Sequence, residues 1–133
     1  MLTACTPFSG LVYDEALDGP YRLTAIDGME DLAIYWEIPG GGAVGDGLPG
    51  PGVIRAGVND RYLVATARAP ACAAGDDACL TRRANSGALD YWYVVRSADE
   101  EQRLPYNGIK GPLTGTEFAE AKTRLGLPEF TLP

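Results

Sequence analysis

The sequence predicts an α+β domain: an antiparallel, mostly meandering sheet of about five strands with one carboxy-terminal helix packed on one face. Three observations carry this expectation. Stretches rich in β-branched and aromatic residues recur between turn signals, at 20–26, 32–38, 53–58, 61–67 and 89–95. One stretch, after Thr114, has helical periodicity with both of its ends written in the sequence. A length of 133 residues, with 46% apolar and 22% charged, is that of one ordinary globular domain. Residues 1–19 read as a start and tether and 20–133 as the domain itself.

Segment 20–26 puts Tyr21, Leu23 and Ala25 on one face, and 32–38 puts Leu32, Ile34, Trp36 and Ile38 on one side. Asp27-Gly28 between them is a turn signal, so the two read as a hairpin. Residues 39–52 break the pattern, because ten of the fourteen are Gly or Pro. Neither a helix nor a central strand accepts that composition, and the segment reads as a long connecting loop. A phosphate cradle would need G-x-x-x-x-G-K-[ST], and no Lys-Ser or Lys-Thr follows these glycines. Segments 53–58 and 61–67 form a second hairpin with Asn59-Asp60 at its tip, where both residues tolerate unusual backbone angles. Segment 89–95 is apolar on both faces, which suits a central strand.

The clearest local signal is Thr114-Gly-Thr-Glu117, a capping box in which the threonine oxygen accepts the Glu117 N–H and the glutamate reaches back. Leu113 and Phe118 stand where a hydrophobic staple requires, and Phe118, Ala121 and Leu125 mark one helical face. Lys122 and Arg124 suit the negative end of the dipole, and Gly126 followed by Pro128 ends the helix.

Three cysteines cannot all pair within one chain. Cys72 and Cys79 flank the turn-forming Gly75-Asp76-Asp77 in a cysteine loop, 70–80, that is poor in bulky apolar residues. A turn there predicts a structural disulfide, which belongs to an oxidising compartment. Zinc would need four ligands and a redox pair Cys-x-x-Cys, and neither pattern is present.

Cys5 closes Leu2-Thr3-Ala4-Cys5, which resembles a bacterial lipobox, where small residues precede a cysteine that becomes the lipidated first residue of the mature protein. The resemblance covers these four residues; the charged and apolar parts of a signal peptide would lie upstream. It implies lipidation of Cys5, with the bilayer held through the acyl chains. Thr6, in place of an aspartate, implies the periplasmic face of the outer membrane if the cell is Gram-negative. The wider pattern comprises Tyr21-Arg-Leu-Thr-Ala-Ile, Gly57-Val-Asn-Asp-Arg-Tyr-Leu-Val64, Tyr91-Trp-Tyr-Val-Val95, Gly111-Pro-Leu-Thr-Gly-Thr-Glu-Phe118 and Leu125-Gly-Leu-Pro128. It resembles small bacterial cell-envelope proteins without an assigned activity, often lipoproteins, over about residues 20–128. Those motifs are structural and imply no catalytic residue.

The chain has no histidine, which removes Ser-His-Asp triads, Cys-His pairs and imidazole zinc sites. Its 11 Lys+Arg against 18 Asp+Glu give −7, the wrong sign for neutralising phosphates or anionic lipid. The carboxylate runs Asp14/Glu15, Glu30/Asp31, Asp76/Asp77 and Asp99/Glu100/Glu101 read as solvated turns, because adjacent carboxyls point apart. No enzyme, cofactor or metal is expected. Tyr35, Trp36, Tyr62, Tyr91, Trp92, Tyr93 and Tyr106 fall mostly on strands, and alternation leaves half of them outside the core. If Trp36 and Trp92 point inward, Tyr35, Tyr91 and Tyr93 lie outward or under the helix, and they form the candidate binding surface. The first reading is a non-enzymatic envelope lipoprotein whose domain binds an envelope protein partner. The alternatives are a glycan or cell-wall binding module using these tyrosines, and a cytoplasmic domain of unknown role with reduced cysteines.

Overall fold

The computed structural model describes residues 12–45 and 47–132. Alternation puts Tyr21, Leu23 and Ala25 of β2 (Tyr21–Ala25) and Ile34 and Trp36 of β3 (Ala33–Glu37) on one buried face. The two strands pair antiparallel with Leu23 opposite Ile34. β1 (Tyr13–Asp18) and β4 (Ala43–Val44) complete a sheet of order β1-β2-β3-β4. The second sheet runs β5-β6-β7-β8, from β5 (Val53–Val58), β6 (Tyr62–Arg68), β7 (Leu89–Val95) and β8 (Ile109–Leu113). The inner faces of both sheets share one core, in which Tyr21, Leu23, Ile34 and Trp36 meet Ala56, Leu63, Ala65 and Val94. The expected single sheet of about five strands is therefore two four-stranded antiparallel sheets. Among the described residues the expected one helix is two, α1 (Asp77–Ser86) and α2 (Gly115–Leu125).

β6 explains the layering. Tyr62 through Ala67 are all buried, so this strand has a core on each side. Leu63, Ala65 and Ala67 face the first sheet, while Tyr62 and Val64 join Phe118, Ala121 and Leu127 in a second core beneath α2. The α2 capping box forms as written, with Thr114 Oγ accepting from Glu117 N at 3.1 Å and Glu117 accepting from Thr114 N at 2.8 Å. Gly126 ends the helix in the left-handed conformation, φ 73°. At the β5–β6 tip, Asn59 Oδ1 accepts the N–H groups of Arg61 and Tyr62.

Several segments depart from the sequence reading. Tyr13–Asp18, assigned to the tether 1–19, is an edge strand on β2, with Tyr13 opposite Ala25. The Gly/Pro loop 39–52 contributes β4 on Trp36, buries Leu48 and Pro49, and accepts the Ile34 N–H on the Pro49 carbonyl. The cysteine loop 70–80 runs into α1, whose N-cap Asp76 accepts from Cys79 N at 3.1 Å. The last residues fold over β5: Ala56 bonds both ways to 131–132, and Arg55 donates to the Phe130 carbonyl. A Cβ at Gly57 would overlap the Glu129 carbonyl, so glycine is what lets this tail lie against the β5 edge.

Candidate functional site

The sandwich has two ends. The chain enters one of them at Val12, whose N–H bonds the Ala25 carbonyl at 2.9 Å. The opposite, distal end gathers the β1–β2 turn, the end of β3, the β5–β6 tip and the 96–108 connection. Three of them, the β1–β2 turn, the β5–β6 tip and the 96–108 connection, meet on one guanidinium, and the end of β3 joins through Glu100. Arg96 donates to Glu100 Oε2 at 2.6 Å from Nη2 and 3.0 Å from Nε. Its Nη1 donates to Asp18 Oδ2 at 2.7 Å and to the Asn59 carbonyl at 2.6 Å. Its charge sits 5.8 Å from the Tyr21 ring centroid. The Glu100 carbonyl accepts from Trp36 Nε1 at 2.6 Å, which fastens the 96–108 connection to the first sheet.

The Arg96 and Glu100 side chains are only 8% and 10% exposed, while Asp18 is 59% exposed. The Glu100 hydrogen bonds hold the Arg96 pKa above its ordinary value against the cost of burial. Arg96 in turn holds the Asp18 carboxyl below its usual range. Burial, then the facing Glu100 charge, pushes the Tyr21 phenol up. Glu100 thus corrects the reading of Asp99/Glu100/Glu101 as a solvated turn. Its partner Arg96 lies four residues back, across a turn that is neither helix nor strand.

This clamp carries a surface groove of about 560 Å³, lined by Val95, Ser97, Leu104, Pro105, Tyr106 and Lys110. Tyr106, 60% exposed, and Val95, 38% exposed, give it an apolar rim. Arg103, Lys110 and Asp99 lie beside them, with Arg103 Nε 3.7 Å from the Asp99 carboxylate, which leaves Lys110, of these two basic groups, without an ion-pair partner among the groove's lining residues. A second groove, of about 310 Å³, runs along Arg61 and Tyr62 and shares Val95, Arg96 and Ser97 with the first. The sequence signal for Tyr106 is its turn context, Pro105-Tyr106-Asn107-Gly108, which sets an aromatic ring on a turn outside the strand pattern.

The tyrosines named from the sequence do not form one surface. Tyr91 stacks on Phe118 with ring centroids 5.2 Å apart, and Tyr93 meets Tyr62 edge-on at 6.3 Å, so both are half-buried beneath α2. Tyr35 lies on the outer face of the first sheet, where it lines a shallow groove of about 330 Å³ with Ile26 and Ala33. Trp36 and Trp92 both pack in the core between the sheets.

Cys72 and Cys79 are disulfide-bonded with Cα atoms 5.8 Å apart. The bond anchors the start of α1, a helix that buries only Ser86. Polar contacts complete the anchorage. Arg83 donates to the Ala69 and Pro70 carbonyls at 2.9 and 2.8 Å, and Arg82 reaches within 3.3 Å of the buried Asp90 carboxylate. Desolvation pushes the Asp90 pKa up, partly offset by Arg82 and Arg83. Cys5 lies outside the described residues. Among the described residues, no three Cys, Asp or Glu side chains converge as a metal set, and no helix is long and apolar enough to cross a membrane. No family model, curated protein or solved structure matches this chain.

Proposed function

We propose that this chain is a non-enzymatic cell-envelope protein, held to the bilayer by lipid on Cys5, whose distal groove binds an envelope protein partner. The observation that carries the reading is the division of the cysteines. Cys72 and Cys79 are bonded to each other, which leaves Cys5, inside the lipobox-like Leu2-Thr3-Ala4-Cys5, as the one remaining thiol. A lipidated cysteine and an oxidised pair call for the same compartment. The address within the envelope that Thr6 suggests, the periplasmic face of an outer membrane, belongs to the same proposal.

The distal groove supports the binding half. An exposed tyrosine beside apolar and basic side chains, set on a buried clamp, has the composition of an interface anchor on a rigid support. The buried Arg96 and Glu100 beneath it are ion-paired within the fold, which gives the surface a fixed support. The test is a photo-crosslinking residue at Tyr106 in the native envelope. The proposal expects one discrete crosslinked protein species that disappears when Lys110→Glu and Val95→Asp are added, and that does not form from the same residue placed at Ile26. A product insensitive to the two groove substitutions removes the groove as the binding surface.

A further inference from the structure

We infer that the end of the sandwich at which the chain enters rests on the surface of a zwitterionic phospholipid bilayer, with Val12, Ile26, Met29 and Ile54 as the contacting side chains; this rests on the lipidation of Cys5 proposed above. Eight large apolar side chains are exposed among the described residues. Four of them lie at this one end: Val12 at 52%, Ile26 at 46%, Met29 at 47% and Ile54 at 37% exposure. Their grouping follows from register. Tyr13 opposes Ala25 at the end of the β1–β2 pairing, so Val12 and Ile26 are the next residues beyond it on neighbouring strands, with the Val12 N–H on the Ala25 carbonyl. Met29 sits on the same β2–β3 connection as Ile26 and shares a shallow groove with Ile54. Single exposed apolar residues are ordinary, but a group of four on one rim marks a contact.

The tether makes the bilayer the occupant. Cys5 and Val12 are seven residue steps apart, so the lipidated sulfur and the domain are separated by at most about 25 Å in any conformation. A body of this size is about 35 Å across. The entry end therefore reaches the membrane surface in nearly every orientation of the tether. With the distal groove turned to the lipid, the entry point would stand about a body's width above the surface, beyond the reach of the tether. The charge of the rim selects the lipid. Asp27, Glu30 and Asp31 stand around the apolar group against Arg68 and the exposed Arg55 beside Ile54, an acidic excess that opposes anionic headgroups and leaves zwitterionic ones. Tyr35, half-buried beside Ile26, has the amphipathic ring that suits headgroup depth. This orientation also points Tyr106 and the distal groove away from the lipid.

The test uses the full chain coupled through Cys5 to a maleimide-headgroup lipid in phosphatidylcholine vesicles that carry a photoactivatable phosphatidylcholine. The bonded Cys72 and Cys79 do not react. After illumination, mass spectrometry is expected to find the label in the peptides holding Val12, Ile26–Met29 and Ile54. Ile26→Asp with Met29→Asp, at exposed positions that leave the core intact, is expected to lower the label about tenfold. Ile54→Asp alone gives a smaller loss, and Tyr106→Ala none. Mixing in phosphatidylglycerol is expected to lower it further. Label centred on Ile38 or on 106–110, label spread evenly, no label, a yield unmoved by the double substitution, or a yield raised by phosphatidylglycerol overturns the inference. Because the lipid is attached chemically, the outcome is independent of whether the cell lipidates Cys5, which the mass of the native protein reports separately.

Discussion

Removing the Glu100 carboxylate is the sharpest perturbation of the distal clamp. In Glu100→Ala, Arg96 keeps Asp18 and the Asn59 carbonyl but loses its only buried counter-charge. Breaking a buried ion pair from one side costs about 3–5 kcal/mol, because a charge remains without compensation. The surviving Asp18 contact, 59% exposed and screened, returns a fraction of that, so a loss of about 2–4 kcal/mol is expected. In urea unfolding, with a slope of about 1–3 kcal/mol/M, the midpoint should fall by about 1–2 M. Asp18→Ala should cost about 0–1 kcal/mol by the same measurement. Replacing both buried partners, Arg96→Met with Glu100→Leu, should cost much less than the sum of the single losses. If Glu100→Ala costs no more than Asp18→Ala, Arg96 is not desolvated and the clamp does not exist as described. The groove follows the clamp: amide exchange of 103–108 should quicken in Glu100→Ala and stay unchanged in Asp18→Ala.

Three other outcomes follow from the packing and the charges. Gly57→Ala drives a Cβ into the Glu129 carbonyl and should release the tail from β5, read as faster amide exchange at Ala56, Thr131 and Leu132 and a loss of about 1–3 kcal/mol. Asp90 has its folded pKa raised above 3.8 by burial, so the folded state holds the extra proton and this residue's contribution declines as pH rises from about 4. Asp90→Asn should flatten that part of the stability–pH curve, whereas Asp14 and Asp18, lowered by Arg22 and Arg96, contribute stability that is lost as pH falls below about 4. Reducing Cys72–Cys79 reopens a loop of about eight residues and should cost about 2.5 kcal/mol on the chain-entropy scale, with far-UV circular dichroism reporting the loss of α1.

What could be read from the sequence was what is written locally. Thr114, Glu117 and Gly126 determine both ends of α2 within a dozen residues, and Asn59 closes the β5–β6 hairpin with its own side chain. The Cys72–Cys79 bond was visible for the same reason, because a turn of six residues separates the pair. What escaped depends on partners distant in the chain. β1 is half acidic and is a strand because β2 pairs with it and Arg22 meets Asp14 at 2.8 Å. α1 has no apolar stripe, since it is held by a disulfide and by arginines donating to carbonyls, so it leaves no helical period to detect. The passage from the first sheet to the second runs through Leu48 and Pro49, two buried residues inside a segment whose composition otherwise reads as loop. At the distal end, Trp36 and Glu100 are 64 positions apart, and no pattern in either segment points to the other.

The most direct test of the central proposal is the intact mass and thiol content of the protein taken from native membranes. A chain beginning at Cys5, carrying the mass of an attached lipid and releasing no free thiol until reduction exposes Cys72 and Cys79, is the predicted result. A chain with an unmodified Cys5 and three free thiols contradicts both the anchor and the compartment.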